Sequence, residues 1–353
     1  MRAPFQFRTI DDAAVAGSNN FHLIRLAAAL LVLFAHAFHL LERAGDEPIG
    51  SWFLTMDASL LGVTIFFFVS GFLVARSWDV RRSLRSFLVA RALRIVPGLW
   101  LALIVTVFIV GILFTTVPIN DYLVDVRIWR YLTLNAVLRT QYFLPGVFET
   151  NPLPGVNGSL WTIPLEVVMY VMLAAIGWTS LIDGPREVIG RLRRRPWGFA
   201  LAVIVVALLV VKVARTGPQY VGLALYFALG TLAYRFRLRI PLSLWIGIAL
   251  IIIAVATART PIGRLLLPVA LPYAILIIAL HPAFRMRHTW LHRNDYSYGT
   301  YLYGFPVQQA AIAFGARDPW SLLAVCVPAT LLLAALSWHL VERRSLRLKV
   351  KIR

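Results

Sequence analysis

The feature of this sequence that most limits its fold is a set of long apolar runs that carry almost no charge. The clearest runs cover residues 27–41, 60–75, 99–117, 199–213 and 322–340. Hydrophobic residues make up 59% of the 353 positions, which exceeds the apolar share of an ordinary soluble domain. Such runs favour helices that cross a lipid bilayer, because a helix satisfies its own backbone hydrogen bonds where water is absent.

We predict an all-α, polytopic membrane helix bundle with about ten transmembrane helices, forming a single domain over residues 1–353. A short polar segment at residues 1–20 precedes the first helix, and a basic tail at residues 341–353 follows the last. The polar segment contains Asp11 and Asp12, so we do not expect a cleaved secretory signal. The predicted helices lie at residues 22–41, 57–76, 95–117, 159–178, 198–212, 220–234, 240–257, 265–281, 297–315 and 321–340.

The net charge of +19 would suggest a nucleic-acid partner in a soluble protein, so the distribution of the charges matters. With the amino terminus in the cytoplasm, about three quarters of the 35 Lys and Arg residues fall in cytoplasmic segments. Because Lys and Arg near the ends of a span resist translocation, this asymmetry predicts that both termini are cytoplasmic. The positive charge is then a matter of topology, and no nucleic-acid partner is predicted.

The longest segment between predicted spans, residues 118–158, lies on the outer side and combines aromatic with amide side chains. Aromatic faces beside amides suit carbohydrates, since sugar CH groups stack and sugar hydroxyls find hydrogen-bond partners. An aromatic belt at the membrane interface is the alternative. The side chains concerned are Trp129, Tyr131, Tyr142, Phe143 and Phe148 with Asn120, Asn135, Gln141 and Asn151.

Two ionisable residues inside predicted spans, His36 and Glu166, are candidates for chemistry because such residues are expensive in a bilayer. Arg25 and His36 lie on one face of the first helix, roughly 16 Å apart along its axis. Glu166 falls at a similar depth to His36 on the fourth helix. A carboxylate beside an imidazole favours a catalytic base, and a histidine bonded to a backbone carbonyl is the alternative. His39 is a weaker candidate because it lies near the interface.

A dense arginine cluster lies between the second and third predicted spans, at the inner surface. Arg91 and Arg94 are spaced i and i+3 at the entry of an apolar helix, so both are expected to point into one space. Paired guanidinium groups suit phosphate groups, either of a soluble ligand or of anionic lipids. The other arginines of the cluster are Arg76, Arg81, Arg82 and Arg85.

Other chemistries find little support in the sequence. The single cysteine, Cys326, lies in an apolar run without a positive partner, so it is expected to pack rather than react. Zinc-type ligand spacing, a phosphate-binding loop and a dinucleotide fingerprint are absent from the sequence. We therefore predict no metal site.

Five short motifs follow one another along the chain. They are Arg25 with His36, residues 66–73 (FFFVSGFL), residues 91–94 (RALR), residues 158–161 (GSLW) followed by Glu166 and Tyr170, and residues 296–302 (YSYGTYL). In this order they resemble the acyltransferase family 3 of bacterial membrane O-acyltransferases, and the resemblance covers nearly the whole chain. Two departures are visible. Tyr303-Gly304 stands where the family often has Trp-His, so the resemblance implies no role for a late histidine, and Arg344 replaces a usual proline.

The resemblance implies a multi-pass protein of the bacterial inner membrane that uses cytoplasmic acyl-CoA, most often acetyl-CoA, as a donor substrate, with no bound cofactor. The acceptor would be a hydroxyl of an extracytoplasmic carbohydrate, such as exopolysaccharide, O-antigen or glycolipid. Arg25, Arg91 and Arg94 would bind the donor phosphates. His36 would be the general base with Glu166 orienting it, and an acyl-histidine intermediate is the alternative.

On the acceptor side, Asn157, Ser159 or Trp161 would position the sugar or donate to the oxyanion. Membrane lipids would surround the bundle. A flippase or transporter for a lipid-linked sugar would share the spans, the intramembrane His and Glu and the aromatic loop. A transporter does not require an inner arginine pair aligned with a buried base. A scaffold subunit of a glycan-synthesis complex would have no need of His36.

Overall fold

The structure is a computed structural model that describes residues 9–15, 19–53, 56–179, 196–284 and 294–348. Over these residues the chain folds into helices joined by loops, without a β-strand. The end of the predicted basic tail, residues 349–353, lies outside the described residues.

The helices are numbered here in chain order. Helix α5 contains a π-helical turn at Thr106–Gly111, helix α14 contains another at Trp338–Glu342, and α8 begins with a 3-10 turn at Gly158–Trp161. The helices are α1 Ile10–Val15, α2 Phe21–His39, α3 Pro48–Phe53, α4 Ala58–Arg81, α5 Leu84–Phe114, α6 Ile119–Val124, α7 Val126–Ala136, α8 Gly158–Trp178, α9 Pro196–Thr216, α10 Pro218–Arg235, α11 Leu244–Ala256, α12 Pro261–Leu280, α13 Ser297–Ala313 and α14 Pro319–Arg347.

The all-helical membrane prediction is confirmed. Among the described residues, helices α2, α4, α5, α8, α12 and α14 are long and apolar enough to cross a membrane, and α11 is apolar but shorter. Each of the ten predicted segments lies on a helix. Most ends differ by a few residues, but α5 begins eleven residues before the predicted start at residue 95 and α14 ends seven residues after the predicted end at residue 340. The number of ten crossings, the single domain and the cytoplasmic termini stay predictions.

Short polar side chains define where the helices near the candidate site begin. The carboxylate of Asp57 accepts a hydrogen bond from the backbone N–H of Leu60 and caps α4. Ser83 caps α5 in the same way, and Arg82 between the two helices has the left-handed φ of 52°. The turn from α4 to α5 is therefore tight, and it brings Ser77 of α4 beside Arg91 of α5.

Helices α4 and α13 form the centre of the bundle. Helix α4 packs between α2 and α10, and α13 packs against α2 and α14. Residues 297–306 of α13 are all buried, although several of them are tyrosines. Cys326 is fully buried beside Phe305 and Leu322, where it packs as predicted. The late motif of the sequence thus forms the middle of the protein rather than its surface.

Much of the loop at residues 118–158 is part of this packing, so several of the side chains predicted to contact a carbohydrate are buried or bonded within the protein. Tyr131 and Phe148 are buried. The amide of Asn151 donates to the backbone and side-chain oxygens of Gln309 on α13, and Asn135 bonds the backbone of Gln141. The aromatic side chains that remain exposed are Trp129, Tyr142 and Phe143.

The contact between α4 and α10 depends on two glycines. A Cβ atom on Gly71 would overlap the carbonyl oxygen of Phe227, and a Cβ on Gly230 would overlap the carbonyl oxygen of Phe68. Small residues of this kind let two membrane helices approach until their backbones touch.

We expect Gly71→Ala to destabilise the protein by about 1–3 kcal/mol, because the added methyl group must push the two backbones apart. The loss should appear as a lower midpoint of thermal unfolding in detergent. Gly222→Ala on the same pair of helices is the control, since a Cβ at Gly222 meets nothing within 4 Å. Equal midpoints for both variants would contradict the close-packing argument.

Candidate active site

A buried cluster of charged side chains joins four helices at the end of the bundle where α2 and α13 begin. Asp295, just before α13, accepts hydrogen bonds at one carboxylate oxygen from Arg25 Nη1 of α2 at 3.1 Å and from Arg94 Nη2 of α5 at 2.6 Å. Arg94 Nη1 also lies 3.5 Å from a carboxylate oxygen of Glu342 on α14. The side chains of Arg94, Asp295 and Glu342 are only 10%, 4% and 2% exposed.

These contacts keep Asp295 ionised. Burial alone would raise its pKa, but the charges of Arg25 and Arg94 outweigh burial and hold the pKa well below its usual value. The second carboxylate oxygen accepts a hydrogen bond from the hydroxyl of Ser297. Two arginines and two carboxylates thus sit together, so Arg25 and Arg94 are largely neutralised within the protein.

Arg91 differs from Arg94 in its partners. Its Nη2 donates to the hydroxyl of Ser77 at 3.3 Å, and its guanidinium lies over the ring of Tyr170, 5.8 Å from the centroid. Arg81 Nη1 donates to the same hydroxyl at 3.0 Å. The Nε of Arg91 is buried and has no hydrogen-bond partner in the described part of the chain. The sequence analysis expected both guanidinium groups to point into one space. Instead Arg94 turns toward the two carboxylates, whereas Arg91 turns toward Ser77 and Tyr170.

A narrow cleft between α2, α4, α8 and α13 extends from Arg25. It is lined by Glu166 together with Ser70 of α4 and Tyr298 of α13, and its free space of about 30 Å³ suits one or two water molecules. Glu166 accepts hydrogen bonds from Ser70 Oγ at 3.1 Å and from the hydroxyl of Tyr170. Glu166 is thus the acidic group of this cleft.

Aromatic side chains also line the cleft. The guanidinium of Arg25 lies 5.6 Å from the ring centroid of Phe66, and Phe66 meets Tyr301 edge to face at 5.8 Å. The hydroxyls of Tyr301 and Thr162 lie 2.7 Å apart and share a hydrogen bond. A substrate arm longer than the present cleft would therefore have to displace these side chains.

His36 is not among the residues that line the cleft, and it makes no hydrogen bond or ion pair with Glu166. Its ring packs edge to face on Phe305 of α13 at 5.2 Å, and no hydrogen bond to the His36 ring is formed by any residue that the structure describes. The predicted orientation of His36 by Glu166 is absent, since the carboxylate is held by Ser70 and Tyr170 instead. The alternative of a histidine bonded to a backbone carbonyl is not observed either.

The three predicted acceptor residues lie at the start of α8, close to His36. Asn157 is buried, and its amide donates to the Leu302 carbonyl at 2.9 Å while its oxygen accepts from the Ser159 N–H at 3.1 Å. A Cβ on Gly158 would overlap the ring of Phe305, the residue that contacts His36. Both ends of the Asn157 amide are occupied, so its visible role is to shape this end of α8.

Trp161 packs edge to face on Tyr220 of α10 at 5.1 Å and is partly exposed. Ser159 is buried next to it. Of the three predicted residues, Trp161 is the one whose side chain retains a surface that a sugar could reach.

The sequence analysis missed Asp295, Glu342 and Ser70. Glu342 offered a signal, because it is an acid at the end of an apolar run. Asp295 offered none, since its partner Arg25 is 270 residues away in the chain. Ser70 lies in the motif at residues 66–73 without being singled out there, and its hydroxyl donates to Glu166.

Asp295→Asn should destabilise the protein by about 3–5 kcal/mol, because it leaves Arg25 and Arg94 without their buried counter-charge. Thermal unfolding in detergent would measure the loss. Asp46→Asn is the matched control, since Asp46 pairs with Arg43 on the surface at 2.8 Å with both side chains about half exposed, and such pairs contribute little. An unfolding midpoint equal to that of the control would show that the cluster is not structural.

Comparisons with known proteins bear on what this arrangement does. The family model of the acyltransferase 3 domain matches residues 18–339. Nodulation protein 10 of Rhizobium leguminosarum bv. viciae is 32% identical over 372 residues, covering 95% of each chain. The O-acetyl transferase of Shigella phage Sf6 is 27% identical over 354 residues, covering 93% of this chain and 96% of the relative. No solved structure matches significantly.

The family match spans nearly the whole chain and includes every residue of the charged cluster except Glu342. The helices that carry the cluster and the cleft thus lie almost entirely within the residues that match the family. One relative bears the name of an O-acetyl transferase. The chain belongs to the acyltransferase 3 family, and it is a membrane O-acyltransferase.

Proposed function

We propose that this enzyme transfers an acyl group, in the first instance acetyl, from cytoplasmic acyl-CoA to a hydroxyl of an extracytoplasmic carbohydrate. The observation that carries the proposal is the arrangement along α2. Arg25 near one end of α2 lines a cleft beside buried arginines, and His36 lies eleven residues further toward the other end. A donor bound on one side of the membrane could then reach an acceptor on the other.

The donor phosphates would be bound mainly through Arg91. Arg25 and Arg94 already form ion pairs with Asp295, and Arg94 also pairs with Glu342, whereas Arg91 donates only to a neutral hydroxyl. Arg81 converges on the same hydroxyl from α4. Two guanidinium groups around one small side chain suit a phosphate better than a pair that is already neutralised. Arg25 would then guide the thioester end of the donor into the cleft.

The acceptor would bind at the opposite end, beside the start of α8. Trp129, Tyr142 and Phe143 are exposed there or in the adjoining loop, and aromatic faces of this kind stack on sugars. The name of the phage relative favours acetyl as the group transferred. Exopolysaccharide, O-antigen and glycolipid all present suitable hydroxyls, and an enzyme that spans the bacterial inner membrane would have access to both substrates.

His36 would be the residue at which the acyl group reaches the acceptor side. Glu166 lies within the cleft, nearer to Arg25 than the sequence suggested. Its role would be to hold Ser70 and Tyr170 along the path of the donor rather than to orient His36. The cleft must widen for the arm to pass, and the hydrogen bond between Tyr301 and Thr162 would open in that step.

Membranes that contain the enzyme should move label from radiolabelled acetyl-CoA into a glycan or glycolipid fraction. His36→Ala should reduce this labelling to background at matched expression, because the transfer step loses its imidazole. Background labelling in the wild type as well would favour the flippase alternative. Wild-type labelling in His36→Ala would remove His36 from the mechanism.

Arg91→Gln should raise the KM for acetyl-CoA about 10–100-fold, since charge-assisted hydrogen bonds of about 1.5–3 kcal/mol are lost, with a smaller effect on kcat. Initial rates at varied acetyl-CoA would measure it. Arg85→Gln is the control, because Arg85 is exposed on the first turn of the same helix. A similar KM in both variants would mean that charge in this region acts only on lipids or topology.

A further inference from the structure

A second histidine lies one turn beyond His36 on α2 and has the carboxylate partner that His36 lacks. His39 Nε2 is 3.3 Å from a carboxylate oxygen of Asp57, the residue that begins α4. The two side chains are 31% and 33% exposed. The pair therefore faces the outside of the bundle at the end where the acceptor is proposed to bind.

The contact leaves His39 suited to accept a proton. The Asp57 carboxylate lies at ion-pair distance, 3.3 Å, from Nε2. With the hydrogen on Nε2 the free lone pair is on Nδ1, and a carboxylate at this distance stabilises the imidazolium that forms after proton transfer. No residue in the described ranges bonds Nδ1. The other oxygen of Asp57 accepts from the Leu60 N–H at 2.7 Å, so the carboxylate is held in place by the helix it caps.

His36 has the opposite surroundings. Its ring packs on Phe305 without a hydrogen bond to any described residue. A protonated imidazole would be an unpaired charge against an apolar wall, which is costly. An acyl-imidazole carries no net charge, so this position suits an acyl carrier better than a base.

Resting on the proposed function, we propose that His36 carries the acyl group and that His39, oriented by Asp57, is the general base for the acceptor hydroxyl. Side chains at i and i+3 on a helix have Cβ atoms about 5–6 Å apart. An acceptor hydroxyl between the two rings could then contact both of them.

Transfer takes place in two steps. An imidazole nitrogen of His36 attacks the thioester carbonyl, the carbon–sulfur bond breaks, and the proton of the other ring nitrogen leaves with the thiol. His39 Nδ1 then takes the proton of the acceptor hydroxyl while the hydroxyl oxygen attacks the acyl carbon. The carbon–nitrogen bond breaks, and the proton on His39 returns to His36 to restore both neutral rings.

His39→Gln separates the two steps. With radiolabelled acetyl-CoA, the variant should accumulate label on the full-length protein that hydroxylamine releases, while glycan labelling falls about 100-fold or more. His36→Ala should show neither product. Glycan labelling at the wild-type rate in His39→Gln would overturn the inference and leave the proposed function intact. Loss of glycan labelling in His39→Gln without label on the protein would overturn the carrier role of His36.

Asp57→Asn tests the carboxylate without removing the helix cap, because Asn caps a helix about as well as Asp. Glycan labelling should fall at least 10-fold with an unchanged KM for acetyl-CoA and an unchanged unfolding midpoint. Asp46→Asn, another acid of the same outer region, should transfer at the wild-type rate. Equal rates for both variants would overturn the role of Asp57. If the wild type labels no glycan and no protein, the proposed function fails and the inference falls with it.

Discussion

The ion cluster around Asp295 is the interaction on which the end of the bundle where α2 and α13 begin depends. One carboxylate oxygen of Asp295 accepts hydrogen bonds from Arg25 of α2 and Arg94 of α5, and Arg94 also pairs with Glu342 of α14. In a buried site each of these charges would be costly alone, and together they offset one another. The cluster therefore holds α2 and the start of α13, which line the cleft, against α5 and α14, and it leaves Arg91 outside these ion pairs.

Most other buried polar side chains serve the packing of the bundle. Gln309 ties the outer loop to α13, and Asn157 ties the start of α8 to the backbone of Leu302. In an apolar environment an unpaired polar group costs more than it does in water, so most of these groups are bonded. Seven buried side-chain atoms of the described residues lack a hydrogen-bond partner, and the Nε of Arg91 is one of them.

The structure also separates chemistry that the sequence had placed together. Glu166 and His36 were expected to meet because they lie at one depth on two helices. Depth is only one coordinate, and the rotation of each helix about its own axis is set by its neighbours. Helix α8 turns Glu166 toward Ser70 of α4, while α13 inserts Phe305 beside His36. The carboxylate that a histidine of α2 does meet is Asp57, through His39.

The sequence by itself determined that the chain is helical and membrane-embedded, and it identified the family through its ordered motifs. Chain length, apolar runs and local residue spacing are visible in the sequence because they do not depend on contacts with distant residues. Only the tertiary structure decided which charges meet, because Arg25 and Asp295 are 270 residues apart and Arg94 and Glu342 are 248 apart. Contacts over such separations arise from packing of backbones at residues such as Gly71 and Gly230, and no local pattern encodes them.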